Sequence, residues 1–336
     1  MVRSIFTLQW HITALCDQRC KHCYMHDSPT YKSEIKNELD LKSCKKIIDD
    51  FIKVLNQWGM EGRINFTGGD PIIRKDFYDI LDYAHQRGIQ INVLGNPYHI
   101  NDESAQKLKN YGVLTYQISL DGMEKTHDFF RRQGSFKESL KALEILKRNG
   151  IQTAVMFTLS KQNADELIEV IRLVNDMGVG IFDFSRIVPI GIGKSLKNSM
   201  LSAEEYHNLL FKVFQEYLLI NERGTKTKFN RKEHLWNLLY QEIGLFYNPL
   251  IFDKKTLFGG CRIGMNLLTI LADGTVFACR RLPIKIGIFP KQAIGDTFIN
   301  SPILNKMRST SKFQKCKKCE LLQFCRGCPS ISYAIN

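Results

Sequence analysis

Ten cysteines are spread very unevenly over 336 residues, and their placement constrains this chain more than any other feature. Three stand near the front, Cys16, Cys20 and Cys23; Cys44 stands alone; six more, Cys261, Cys279, Cys316, Cys319, Cys325 and Cys328, fall in the last quarter. A disulfide scaffold distributes its staples through the fold, so this segregation points to separate metal sites in separate domains. The segment up to Cys16 mixes Arg3, Gln9 and His11 into its apolar residues and so lacks the core of a signal peptide. No apolar run approaches the roughly 18 residues of a membrane span. The expectation is a cytoplasmic protein with no membrane association, in a reducing compartment where cysteines serve metals or catalysis before disulfides.

The stretch between the two cysteine groups is regular. Apolar strands are expected at Phe6–Thr13, Arg63–Thr67, Gln90–Leu94, Leu114–Leu120, Thr153–Leu159 and Ile181–Ile187. Helices with 3.6-residue periodicity separate them, such as the one carrying Ile47, Ile48, Phe51, Ile52 and Leu55. Gly59, Gly88, Gly112, Gly150 and Gly178 each stand just before a strand, where glycine suits the left-handed residue that closes a helix. Strand–helix repetition implies an α/β fold with a parallel sheet, either doubly wound or a partial barrel. The rhythm breaks after Ile187 at the glycine-rich Pro189–Gly193; helices are expected at Ala203–Ile220 and around Glu233–Leu245, and an Asp273-Gly274 hairpin after Cys261. The expected division is residues 1–190, a bridging helical region at 191–255, and a small cysteine-rich domain at 256–336.

The spacing of Cys16, Cys20 and Cys23 is C-x3-C-x2-C, with spacers that reach only about 10–14 Å when extended. Three thiolates so close suit zinc or an iron–sulfur cluster. Zinc would need a fourth local ligand, for which His22 and His26 are the candidates. A four-iron cluster held by three thiolates instead keeps one iron open, as catalysis requires.

At this point the chain resembles the radical S-adenosylmethionine (SAM) enzymes, whose hallmark is C-x3-C-x2-C directly after the first strand. Thr67-Gly68-Gly69-Asp70-Pro71 is similar to that family's GGE motif, with Asp70 one methylene shorter than the usual glutamate. Gly permits close backbone approach, and a carboxylate suits the ammonium of the SAM methionine. Ser119, in Ser119-Leu120-Asp121-Gly122, matches a serine used for the SAM ribose, and His127-Asp128-x-x-Arg131 resembles a segment whose arginine reaches the SAM carboxylate, with Arg132 beside it. The resemblance implies a partial (β/α)6 TIM-type barrel, followed by a small iron–sulfur domain. Independently of it, the cysteine loop, Gly68–Asp70 and Ser119 all fall at the C-terminal ends of expected strands, where barrel active sites gather.

The rear cysteines resemble the SPASM extension of the same family: Cys261, twelve residues, Gly274, four residues, Cys279, then Cys316-x2-Cys319-x5-Cys325-x2-Cys328. Cys328 arrives one residue early and no later cysteine follows. The resemblance implies one or two auxiliary [4Fe-4S] clusters, the first on Cys261, Cys279 and Cys328, the second on Cys316, Cys319 and Cys325 and one thiolate short. A single zinc knuckle of the last four cysteines is the alternative, and it would strand Cys261 and Cys279. Cys44, on the apolar face of its helix, reads as core. The basic stretches Arg223–Lys232 and Lys306–Lys318 read as solvated faces, the latter able to guide an acidic peptide.

The function implied is reductive cleavage of SAM at the front [4Fe-4S] cluster to a 5′-deoxyadenosyl radical, and hydrogen abstraction from a peptide or protein. The product would carry a thioether or other crosslink, with a Cys-containing precursor favoured. The implied partner is a one-electron donor such as a flavodoxin or ferredoxin; with only fifteen residues before the triad, leader recognition would fall to a separate leader-binding protein or a surface of the barrel, or the substrate would need no leader. A small-molecule dehydrogenase and a non-catalytic electron carrier are the alternatives. The net charge of +13 permits an acidic partner without identifying one, and no aromatic-interleaved basic motif points to nucleic acid. No general acid or base emerges; Arg280 follows Cys279 where some relatives place an aspartate.

Overall fold

The computed structural model describes residues 4–246 and 257–336. Six strands, β1 (Ile5–Thr13), β2 (Glu61–Gly68), β3 (Gln90–Leu94), β4 (Val113–Ser119), β5 (Gln152–Leu159) and β6 (Ile181–Arg186), pair in parallel in chain order. All six expected strands are present, with bounds within two residues of those read from the sequence. The open run β1 to β6 makes this the partial-barrel solution rather than a doubly wound sheet, in which the strand order would reverse.

Each strand alternates strictly between two faces. Phe6, Leu8, Trp10 and Ile12 of β1 point to the helix layer and are fully buried, as are Ile64 and Phe66 of β2 and Phe182 of β6. Burying such side chains contributes about 1.5–3 kcal/mol each. The opposite positions are polar: Gln9 and His11, Asn65 and Thr67, Gln117 and Ser119, Thr158, then Asp183 and Ser185. The helices supply the other half of the core. Leu41–Trp58 is capped by the Asp40 carboxylate, which accepts from the Ser43 N–H, and ends on Gly59 at φ 63°. Between them Cys44, Ile47, Ile48, Phe51, Val54 and Leu55 are buried, so Cys44 is core.

The rear of the chain adds to the same sheet. Strand β8 (Leu267–Ile270) pairs parallel to β1, and β9 (Thr275–Cys279) and β10 (Leu282–Ile288) follow antiparallel, while the two-residue β7 (Lys228–Phe229) extends the far edge beyond β6. The result is one ten-stranded sheet in the order β10-β9-β8-β1-β2-β3-β4-β5-β6-β7. The expected hairpin forms: Gly274 sits at φ 84°, and the Asp273 carboxylate accepts from the Thr275 N–H at 3.0 Å and from the Ser33 hydroxyl at 2.7 Å. The boundary expected near residue 255 lies outside the described residues. Because β8 runs parallel to β1 and β9 antiparallel to β8, Cys279, at the end of β9, lies toward the start of β1, while Arg280 and Arg281 just after it reach a cavity wall.

Candidate active site

The front loop leaves β1 at Thr13 and is stitched to the next strand by the glycine pair. The Gly69 N–H donates to the Thr13 carbonyl at 2.9 Å and the Asp70 N–H to the Leu15 carbonyl at 2.8 Å. A Cβ on Gly68 would run into the Thr13 carbonyl, and one on Gly69 into that of Leu15. Gly68 also holds φ at 134°, a conformation glycine alone adopts freely. The glycines therefore seat the cysteine loop as well as bordering the cavity. A second clamp comes from the glycine-rich connection after β6, where the Gly193 N–H donates to the Cys23 carbonyl at 3.3 Å and the Ile192 N–H to that of His26 at 3.0 Å.

Cys16, Cys20 and Cys23 all face one cavity of about 1060 Å³, its open mouth included. Donors point at two of the sulfurs: the Gln18 N–H and the Asn96 amide each lie 3.4 Å from Cys16 Sγ, and Arg131 Nη1 lies 3.6 Å from Cys20 Sγ. Burial pushes the Cys20 thiol up to about 11, with Cys16 and Cys23 also raised by burial. The anionic form of such buried thiols calls for cationic metal, and three sulfurs with N–H donors behind them suit an iron–sulfur group better than a closed zinc site. His22 does not act as a fourth ligand from this position; its ring lies 3.4 Å from both Asp121 and Arg131, and burial holds it down to about 4.

Gly68, Gly69, Ser119 and Arg131 lie on the cavity wall with the triad. Arg131 Nε donates to Asp121 Oδ2 at 2.6 Å, and although burial opposes ionisation of Asp121, Arg131 holds its carboxyl below the usual range. Arg132 turns the other way, 3.9 Å over the ring of Tyr98, so the question of which arginine faces the cavity is answered. Asp70 departs from the expectation. It lies behind the wall formed by Gly95 and Asn96, with Oδ1 accepting from the Asn96 N–H at 3.4 Å and Oδ2 without a partner. Its side chain is fully buried, and burial, then the nearby Asp17, pushes its carboxyl up to about 7. The His127 and Asp128 of the same sequence segment shape the backbone: His127 Nδ1 accepts from the Asp121 N–H, and Asp128 accepts from the N–H groups of Gly134 and Phe136.

The rear cysteines fall into two groups. Burial raises the Cys261 thiol to about 11, and the charges of Cys279 and Cys328 add to that, whereas Cys325, also raised by burial, feels Cys316 and Cys319. Beside the first group lies Arg326, buried, at φ 57°, with Nε and Nη2 unpaired. An anionic cluster on Cys261, Cys279 and Cys328 would supply the counter-charge that this guanidinium lacks. The second group is more open, with Cys319 exposed.

Several residues of the site went unread in the sequence. Arg186 and Arg281 line the cavity, Arg186 paired with Glu233 at 3.0 Å, and so does Arg280, which the sequence marks only as the residue after Cys279. Lys232, expected on a solvated face, is instead turned inward, its Nζ 3.3 Å from Met156 Sδ, and burial followed by Arg280 holds it down to about 7. The signal for much of the inner wall is the alternation of the strands, whose cavity-facing positions are mostly polar, with Leu94 and Met156 as apolar members.

Two family descriptions match the chain: "Radical SAM superfamily" over residues 10–174 and "Iron-sulfur cluster-binding domain", SPASM, over residues 261–329. A Fe-coproporphyrin III synthase from Methanosarcina barkeri is 31% identical across 80% of this chain and 67% of its own. The chain belongs to the radical SAM superfamily. Other relatives span two chemistries. An AdoMet-dependent heme synthase from Oleidesulfovibrio alaskensis is 26% identical over 98% of this chain and 84% of its own, and the sporulation killing factor maturation protein SkfB from Bacillus subtilis is 27% identical over 92% and 68%. In fold the chain is similar to Streptococcus suis SuiB bound to S-adenosylmethionine, with a TM-score of 0.77 at 18% identity, covering 98% of this chain and 74% of that one. A radical SAM enzyme with a SPASM domain implies SAM binding and [4Fe-4S] clusters. Among the described residues no helix is long and apolar enough to cross a membrane.

Proposed function

We propose that this radical SAM enzyme modifies a peptide or protein after translation, forming a thioether or another crosslink. The observation that carries the reading is the shared cavity: Cys16, Cys20, Cys23, Gly68, Gly69, Ser119 and Arg131 border one space, and Arg280 and Arg281, next to Cys279, border its far side. Cys16, Cys20 and Cys23 would hold the [4Fe-4S] cluster; Cys261, Cys279 and Cys328 would hold the first auxiliary cluster, and Cys316, Cys319 and Cys325 a second, weaker one. A cluster held there, with SAM and one electron from a flavodoxin or ferredoxin, would supply reductive cleavage of SAM and thereby hydrogen-atom abstraction from the substrate.

The chain's own residues do the positioning. Gly68 and Gly69 let the loop backbone close over the cavity, and the Gln18 N–H and Asn96 amide steady the Cys16 sulfur. Arg131, fixed by Asp121, presents its remaining N–H groups beside Cys20 for the SAM carboxylate. Ser119 serves the ribose, and Asp70 serves the amino group once it turns from behind Asn96.

Relatedness to SkfB supports a peptide substrate; relatedness to the heme synthases favours a second reading, a tetrapyrrole or other small molecule. Anaerobically reconstituted, reduced protein should form 5′-deoxyadenosine from SAM faster than a Cys16→Ala, Cys20→Ala, Cys23→Ala variant, and equal rates would end the catalytic reading. Mass spectrometry of short peptides encoded beside the protein, set against Fe-coproporphyrin III as substrate, separates the two substrate classes.

A further inference from the structure

The cavity wall carries four arginines, Arg131, Arg186, Arg280 and Arg281, and no aspartate or glutamate. Charge is balanced at two of them from outside the cavity: Asp121 pairs with Arg131 at 2.6 Å and Glu233 with Arg186 at 3.0 Å. The other two have no carboxylate within 4.0 Å among the described residues. Arg281 donates to the Ser185 hydroxyl at 3.3 Å and lies within electrostatic range of Cys328, Cys279 and Glu233. Arg280 faces Tyr24, the residue after Cys23, with its guanidinium carbon 5.5 Å from the ring centroid. Behind them stands a third cation, Lys232, with only a methionine sulfur at hydrogen-bond range. The nearest acid that offsets it, Asp183, is engaged by the Asn230 amide at 3.2 Å and keeps its other oxygen unpartnered.

Like charges packed at one end of a cavity repel each other; Glu233 acts on Arg281 and Asp183 on Lys232, and no acid on the wall itself faces Arg280. An auxiliary cluster on Cys279 and Cys328 would neutralise Arg281 from its far side. Arg280 lines the cavity that the front triad borders, over the Tyr24 ring, and its guanidinium fork matches a planar carboxylate. We infer that Arg280, with Arg281 beside it, forms a subsite for a carboxylate of the substrate and so anchors it between the front triad and the first auxiliary cysteines.

This deepens the function proposed above and rests on it, because it assumes that substrate enters this cavity. The shared chemistry is a carboxylate, which a peptide offers as an acidic side chain or C-terminus and a tetrapyrrole as its propionates. Binding to the reconstituted full chain with SAM present tests it through two probes. One is Fe-coproporphyrin III against its tetramethyl ester, followed by the Soret band; the other is a fluorescent, end-blocked hexapeptide with one glutamate against its glutamine twin, followed by anisotropy. The expected result is that at least one carboxylate probe binds at least tenfold more tightly than its neutral twin, an advantage that shrinks with added salt. Arg280→Gln should weaken that probe about 10- to 100-fold, Arg281→Gln should weaken it less, and Arg280→Lys should retain part of the advantage. Iron content per chain, equal to wild type, confirms that each variant is folded and loaded. The inference is overturned if wild type does not distinguish either probe from its neutral twin, or if Arg280→Gln distinguishes them as well as wild type. Which probe is preferred identifies the source of the carboxylate. Absence of 5′-deoxyadenosine from wild type would instead remove the underlying function, an outcome read separately from binding.

Discussion

Cys16, Cys20 and Cys23 occupy eight consecutive residues after one strand, whereas Cys261, Cys279 and Cys328 are drawn from a loop, the end of β9 and the start of the last helix. The front group is held by backbone: Gly68 and Gly69 from β2 and the glycine-rich connection after β6 fix the loop from two sides. The rear group is held by tertiary contact, with the Gly259 N–H reaching the Gln323 carbonyl and Arg326 reaching the Ile263 and Met307 carbonyls. A local ligand set can stay in place when its group is absent, because strand pairing already positions the loop. A ligand set assembled from distant segments shares its stability with the group it binds. The front site should therefore tolerate an empty state that the rear site does not.

The largest effect that sharpens this contrast comes from removing ligands. Alanine at Cys16, Cys20 and Cys23 together should reduce 5′-deoxyadenosine formation to background while leaving the unfolding transition of the barrel nearly unchanged. Alanine at Cys261, Cys279 and Cys328 should lower the melting temperature of the loaded protein and remove about four irons, with SAM cleavage retained in part. The comparison breaks if the front variant is the one that loses its cooperative melt.

Next in size are the glycines that seat each loop. Gly69→Ala would drive a Cβ into the Leu15 carbonyl, and Gly260→Ala, at φ 79°, would drive one into that of Cys325. Backbone cannot yield as a flexible side chain does, so each should cost about 1–3 kcal/mol. The readouts should diverge: in Gly69→Ala the iron that supports SAM cleavage is lost, and in Gly260→Ala the rear iron is lost. Equal loss from both sites in either variant would show that the two loops are coupled.

The sequence made the front site legible because everything it needs is local. Strand ends, the glycine pair and the three cysteines all lie within motifs of a few residues, and period-two alternation placed the strands to within two residues. The rear grouping was carried by resemblance, since spacing alone allows a knuckle of the last four cysteines, and only tertiary structure puts Cys328 beside Cys261 and Cys279. Lys232 was misread for a related reason. It lies at the end of a run of exposed basic residues, and nothing in the run says that β7 turns this one side chain in toward Met156. Asp70 is expected, from the resemblance, to meet the SAM ammonium, and in the structure its carboxylate packs behind Gly95 and Asn96, near Tyr116.

A smaller effect concerns pH and again separates front from rear. His127 supports the front wall as a neutral ring: Nδ1 accepts from the Asp121 N–H, Nε2 lies 3.1 Å from the Ser135 hydroxyl, and burial, then Arg131, holds it down to about 4. Asp121, Asp128 and His22 also face it electrostatically. The unfolded chain binds a proton near 6.5 and the folded one only near 4, so stability is full above about pH 6.5 and falls as pH drops toward 4. Between pH 7 and 5 this ring should account for a loss of about 2 kcal/mol in urea unfolding. His22, also held down to about 4, adds a loss of the same sign and Asp70, held up to about 7, opposes both, so His127→Gln should remove the part due to its own ring. An unchanged slope would mean that the ring is not buried neutral.

The smallest effect on activity is expected at the outer rear group, and it bears on how many clusters the protein keeps. Cys319 is exposed and Cys316 half-buried, and with Cys328 drawn to the inner group only three thiolates remain for the outer one. Metal affinity falls with each missing ligand and with solvent access, so whatever iron this group binds should leave first. A ferrous chelator at neutral pH should release about four irons per chain in an early phase while 5′-deoxyadenosine formation persists. Cys319→Ser should abolish that phase and change SAM cleavage less than any other variant described above. If instead iron leaves in a single phase and Cys319→Ser leaves that phase intact, the outer cysteines hold no separate cluster, and the contrast reduces to one front site and one rear site.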